Sequence, residues 1–159
     1  MDCDLIIPKY SLLDTKRGEY AEEIAQLYCE TIDMNRVKKQ EEFENMFAQV
    51  LYYQVSNLTT ACVDWDNNLI GAISYGFYRD CEPTCGRVFK IAVQPQYQRG
   101  GVGRELLSYA ESCLAGMGAT AIQLFARQSA VNFYKKMGYE EVKETPPGLH
   151  DFIKRLSLP

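Results

Sequence analysis

Residues 87–103, RVFKIAVQPQYQRGGVG, hold the reading on which the fold turns. Val88, Phe89, Ile91, Ala92 and Val93 make residues 87–93 a nearly continuous apolar run, which predicts a buried strand. Pro95 closes it, and Gln98-Arg99-Gly100-Gly101-Val102-Gly103 follows. A helix comes next, because Val102, Leu106, Ala110, Cys113, Leu114 and Met117 recur with a period of about 3.6 residues. Gly116 and Gly118 mark its end.

Outward from this core the signals keep alternating. Residues 121–125 predict a strand, residues 128–137 a short helix stopping at Gly138, and residues 139–143 an extended segment. Pro146-Pro147-Gly148 is a turn before a last strand at 149–156. Upstream, residues 59–63 and 69–77 form a hairpin around Asp66-Asn67-Asn68, with Leu69, Gly71, Ile73, Tyr75 and Phe77 alternating. Two helices precede it: residues 17–32, spaced by Tyr20, Ile24, Leu27 and Tyr28, and residues 38–51, with Phe43, Met46, Phe47 and Val50. Residues 4–7, closed by Pro8, predict a short strand. The expected fold is therefore α/β, a single domain over residues 1–159 with a mixed sheet and flanking helices.

A chain of 159 residues suits one compact domain burying roughly 70% of its unfolded surface. No apolar run approaches the roughly 20 residues of a membrane span, and no repeat period appears. The acidic start, Met1-Asp2-Cys3-Asp4, does not resemble a leader, and no lipidation motif is present, so the expectation is a cytoplasmic protein without a membrane partner. Lys+Arg of 17 against Asp+Glu of 21 argues against nucleic acid, whose usual footprint is a basic patch. Six cysteines (Cys3, Cys29, Cys62, Cys81, Cys85, Cys113) read as reduced thiols in a chain with ample apolar content. Cys81 and Cys85 are the one close pair, and with a single histidine, His150, no metal site is expected. Asn57-Leu58-Thr59 reads as a glycosylation acceptor, with little meaning in a cytoplasmic chain.

Glycines in a strand-to-helix turn let backbone N–H groups approach a ligand, and the helix start adds unpaired N–H groups and about half a positive charge. Arg99 and Arg104 flank the turn with full charges. Together these suit a phosphate or pyrophosphate. A Walker loop would need Lys-Ser or Lys-Thr after the glycines, and a dinucleotide fingerprint three spaced glycines; neither is present. The plainer alternative is a structural turn with surface arginines.

The segment 91–103 resembles the acetyl-CoA motif of the GNAT N-acetyltransferase superfamily, in which Gln98, Gly101 and Gly103 match the core pattern. A second block, Ala130-Val131-Asn132-Phe133-Tyr134-Lys135-Lys136-Met137-Gly138-Tyr139, is similar to the family's fourth helix. The resemblance covers residues 69–143 and implies acetyl-CoA as cosubstrate, with no metal. It implies that the pyrophosphate sits on the backbone of Gln98, Arg99, Gly100, Gly101, Val102 and Gly103, with Arg104 nearby. The pantetheine arm would pair with the backbone of Ile91, Ala92 and Val93.

Acetyl transfer needs a neutral amine, a donor to the thioester oxygen, and a donor for the departing sulfur. The resemblance gives the second role to the N–H of Val93 and the third to Tyr134, whose alternative is a half-buried core tyrosine. Relatives often carry a glutamate on the cofactor strand, but here Phe89 and Lys90 follow Val88. The base is then water or a carboxylate such as Glu30, Asp80 or Glu82, with His150 a minor candidate beside a structural role. Arg127 stands where many relatives have Asn, to reach a cofactor phosphate or to face solvent.

The implied function is N-acetylation of a primary amine on a small molecule or protein, by direct attack in a ternary complex. The rival is a non-catalytic acyl-CoA-binding sensor. Acceptor choice would rest with residues 14–54 and 80–86, where Asp33, Glu41, Glu42 and Glu44 mildly suit a cation. Relatives commonly pair, so a homodimer belongs among the expectations.

Overall fold

The computed structural model describes residues 10–31, 39–78, 84–144 and 148–156. Their elements are β1 (Tyr10–Asp14), α1 (Ala21–Thr31), α2 (Lys39–Ser56), β2 (Leu58–Asp64), β3 (Leu69–Tyr78), β4 (Cys85–Val93), α3 (Val102–Gly116), β5 (Ala121–Arg127), α4 (Val131–Lys136), β6 (Glu140–Glu144) and β7 (Leu149–Arg155). The strands form one sheet in the order β1-β2-β3-β4-β5-β7-β6. Every neighbouring pair is antiparallel except β4 and β5, which are parallel. The mixed sheet with flanking helices is the architecture expected from the alternation of periods.

Helices cover both faces. On one, Ile24, Leu27 and Tyr28 of α1 and Met46 and Val50 of α2 pack on Ala61, Ala72 and Ala92. On the other, Leu106, Leu107, Ala110 and Leu114 of α3 and Tyr134 of α4 pack on Ile122, Leu124 and Phe152. Each fully buried leucine contributes about 1.5–3 kcal/mol. Gly71 lets β3, β4 and α3 meet this closely: a Cβ there would lie 2.9 Å from the Ala92 carbonyl oxygen and 3.1 Å from Leu106 Cδ1.

The sheet is split in the middle. β4 and β5 pair only from Cys85↔Ala121 to Val88↔Leu124. Beyond that point β4 continues to Val93 on β3 alone, and β5 continues to Arg127 on β7 alone. A bulge opposite Ser74 and Tyr75 leaves Phe89 as the extra residue of β4, which bends the strand where the parting begins.

This parting explains the main departure from the sequence reading. The apolar run at 87–93 predicts burial throughout, yet Phe89, Lys90 and Ile91, beyond the pairing with β5, are only half-buried. Along β3 the opposite holds: alternation predicts one buried face, but Ile70 through Gly76 are all buried because helices lie on both sides. Helix α1 starts later than expected, since residues 17–20 form a turn with Tyr20 at φ 55°. Helix α2 runs five residues further than the expected 51, to Ser56. The 128–137 helix opens as a 3-10 turn at Gln128–Ala130. Its end is capped by Gly138 N–H donating to Lys135 O (3.1 Å) and Tyr139 N–H to Tyr134 O (3.0 Å). The hairpin turn is held by the Asp64 carboxylate, which accepts the N–H groups of Asp66 and Asn68 at 2.9 Å. Strand β1 was not foreseen, and the strand expected at 4–7 lies outside the described residues.

Candidate functional site

The glycine-rich turn joins β4 to α3. Gln94 N–H donates to Ile70 O (2.8 Å), Pro95–Tyr97 makes one 3-10 turn, and Gln98 N–H donates to Pro95 O (3.3 Å). The Gln98 side chain folds back, donating Nε2–H to Val93 O at 3.0 Å, so it ties the turn to the end of β4. Arg99 and Gly101 both take positive φ, 68° and 89°. Only Gly adopts this conformation without strain, and Gly101 is also the N-cap of α3, with no side chain to bond the helix start.

The next backbone bond is Glu105 N–H to Gly101 O, 3.0 Å. The N–H groups of residues 99–104 therefore have no backbone acceptor among the described residues. Arg99, Gly100, Gly101 and Arg104 are exposed, Gly103 is half-buried and Val102 is buried, anchoring the turn to the core. A row of unaccepted donors, the positive end of a 15-residue helix and two guanidinium groups offer chemistry that suits a polyanion.

The edge of β4 supplies the second part. Since Gln94 turns its N–H toward β3, the alternation of a strand turns the backbone groups of Val93 and Ile91 toward the parting, and those of Ala92 toward β3. Gln98 already satisfies the Val93 carbonyl. The Val93 N–H is left as a donor on the open edge, beside the Ile91 N–H and C=O.

Helix α4, which carries Tyr134, meets the same place through Phe133. A Cβ built on Gly103 would lie 3.6 Å from Phe133 Cζ and 3.8 Å from Val93 Cγ2, so α3, α4 and the end of β4 converge. Tyr134 is buried among Phe133 (ring centroids 5.1 Å), Tyr139 (5.8 Å) and Phe152 (6.1 Å). Its hydroxyl makes no hydrogen bond among the described residues, and burial pushes its pKa up to about 12. The side chain stays protonated and able to donate across the working range of pH.

The other face of the parting is lined from α1, α2 and β4. Phe89 stacks on Tyr53 of α2 (5.0 Å, 5°) and meets the edge of Tyr78, over which the Arg87 guanidinium lies at 5.3 Å. Lys90 is half-buried here, its pKa lowered first by burial and then by Arg127, while Cys29 acts the other way. Sequence reasoning noted Lys90 only as the absence of a carboxylate; a lysine inside an apolar strand was the signal available.

The expected bases fare differently. Glu30 is exposed on α1 and accepts a hydrogen bond from Gln26 Nε2 at 2.8 Å. His150 is buried with both ring nitrogens engaged, Nδ1 with Glu141 Oε1 (2.6 Å) and Nε2 with Gln128 Oε1 (2.7 Å). Asp80 and Glu82 lie outside the described residues, as do Asp33, Cys3 and Cys81, so the Cys81–Cys85 pair is not described. Arg127 ends β5, exposed at the rim of the parting. Cys29 and Cys113 are half-buried thiols and Cys62 a fully buried one. Among the described residues no group of three or more His, Cys, Asp or Glu could hold a metal, and no helix is long and apolar enough to cross a membrane.

Comparison with known proteins gives a consistent result. The family model described as acetyltransferase (GNAT) family matches residues 21–139. An uncharacterised N-acetyltransferase, ycf52-like, of Prochlorococcus marinus is 35% identical over 52 residues, a match spanning 33% of this chain but only 29% of that relative. Among solved structures, the PH1933 protein of Pyrococcus horikoshii superposes with a TM-score of 0.76 at 19% identity, covering 94% of this chain and 99% of that one. The PaiA N-acetyltransferase of Thermoplasma acidophilum, solved in complex with coenzyme A, gives a TM-score of 0.71 at 17% identity, covering 92% and 99%. At these identities the structural matches establish a shared fold.

Proposed function

Because the chain belongs to the acetyltransferase (GNAT) family, we propose that it is an acetyl-CoA-dependent N-acetyltransferase that passes the acetyl group directly to a primary amine of a small molecule or protein. The observation that supports this most is the row of unaccepted N–H groups at residues 99–104, opening onto strands that have parted. Acetyl-CoA supplies an activated acetyl thioester. In this reading its pyrophosphate is held by the backbone from Gln98 to Gly103, with Arg99 and Arg104 adding charge. The open-edge groups of Ile91 and Val93 align its amide-bearing arm, and Ala92 keeps its own groups on β3.

The Val93 N–H is the donor for the negative charge that develops on the thioester oxygen. Tyr134 is the donor for the sulfur. An alkyl thiol titrates near 8.5, so full transfer of a proton from a group near 12 would cost about 5 kcal/mol. Tyr134 therefore stabilises the thiolate by donating a hydrogen bond, and solvent completes the protonation. With Glu30 held by Gln26 and His150 engaged at both nitrogens, the amine loses its proton through water. The same reading takes the protein to work in the cytoplasm, alone or as a homodimer, without nucleic acid or membrane.

One observation favours a second reading, a non-catalytic acyl-CoA sensor: β4 carries Phe89 and Lys90 and no carboxylate. Calorimetric titration with coenzyme A and desulfo-CoA, followed by thiol release across an amine panel, separates the two. Binding with turnover on at least one amine supports the enzyme. Binding without turnover on any amine supports the sensor, and absence of binding refutes both.

A further inference from the structure

Lys90 lies on the stretch of β4 that β5 has left, next to the bulged Phe89. Its register partner is Ser74, whose hydroxyl is bonded to Tyr28 of α1 and to Thr59, so Lys90 belongs to the face covered by α1. Lysines are seldom drawn from solvent without an acid beside them. Lys90 is half-buried and makes no ion pair among the described residues, whereas the similarly half-buried Lys154 is paired with Glu111 at 3.0 Å.

The stretch of β4 that carries Lys90 lies beyond Val88, the last residue that β5 pairs, so its free backbone edge faces the parting. Arg127 ends β5 on the other side of that parting, and Cys29 lies on α1. An added strand along the open edge would lie about 4.8 Å from β4. The five bonds from Cα to Nζ of a lysine reach roughly 6 Å, enough to meet a group carried by that strand.

We propose that Lys90 is itself an acetyl acceptor, modified by acetyl-CoA held along its own strand; this rests on the binding mode given above. The Nζ lone pair of the neutral amine attacks the thioester carbonyl carbon and a C–N bond forms. The C–S bond breaks, its electron pair leaves on sulfur, and the proton lost from nitrogen ends on the thiol. The products are acetyl-Lys90 and free coenzyme A. Burial and the Arg127 charge both favour the neutral amine that this step requires. Lys135 and Lys136, exposed on α4, have no comparable environment and serve as internal references.

The test is to incubate the full chain with isotopically labelled acetyl-CoA and follow site occupancy by peptide mass mapping, beside a coenzyme A titration. Lys90 should acquire label at least about tenfold faster than Lys135 or Lys136, by virtue of positioning, and desulfo-CoA should suppress it. Lys90→Arg should keep coenzyme A binding and lose the fast label. Coenzyme A binding with Lys90 labelled no faster than Lys135 overturns this inference and leaves the binding mode standing. Equal total fast labelling in Lys90→Arg overturns it too. Failure to bind coenzyme A overturns the proposed function and this inference with it.

Discussion

Tyr134→Phe removes one hydroxyl from a residue whose ring is fixed on three sides. The contacts to Phe133, Tyr139 and Phe152 survive the change. With no hydrogen bond to that hydroxyl among the described residues, neutral-pH stability should change by less than about 1 kcal/mol. A hydrogen bond to a charged group is worth about 1.5–3 kcal/mol, so loss of the donor to the departing thiolate should lower kcat about 10- to 150-fold. Acetyl-CoA affinity should be unaltered. A second signature follows from the raised pKa. The folded value lies above the unfolded one, so the stabilisation is fully present below pH 10 and is lost as pH rises to about 12. Two pH units correspond to about 3 kcal/mol, which the phenylalanine variant should not lose. The assays are thiol release at saturating acetyl-CoA and urea unfolding at pH 8 to 12. A kcat within threefold of the parent at equal affinity would refute the donor role. An unchanged alkaline loss of stability would refute the burial argument.

Three further substitutions probe the frame. Gly101→Ala meets no atom within 4 Å but must hold φ 89°, so it should cost about 1–2 kcal/mol in urea unfolding and weaken coenzyme A binding. Gly71→Ala drives a methyl against the Ala92 carbonyl and Leu106, and should destabilise by about 1–3 kcal/mol, seen as a lowered Tm. His150→Asn cannot span both Glu141 and Gln128 and should cost about 1–3 kcal/mol while kcat/KM stays within threefold. A tenfold fall in kcat/KM without loss of stability would restore His150 as a base.

The hairpin, α3 and the β5–α4 unit were legible because each carries its own local signal: a turn at Asp66-Asn67-Asn68, a 3.6-residue stripe, a glycine at 138. Strand β1 was not, since its five residues lack alternation and are held by pairing with β2 some fifty residues on. The parting of β4 from β5 was also hidden. An apolar run says that a strand is covered, but not that its neighbour leaves after Val88. The glycine-rich turn showed in the glycine pattern, whereas the Gln98 side chain on the Val93 carbonyl depends on the turn's geometry. The engagement of His150 depends on a register between β6 and β7 that no local pattern encodes.

We propose that the backbone donors of residues 99–104 and the open edge at Ile91 and Val93 receive acetyl-CoA. Backbone amide NMR during a coenzyme A titration tests it most directly. Saturable shifts should concentrate at those amides, while the Ala92 amide, bonded to β3, should move least along the strand. Saturable binding whose shifts fall elsewhere, or no binding at all, would contradict this binding mode.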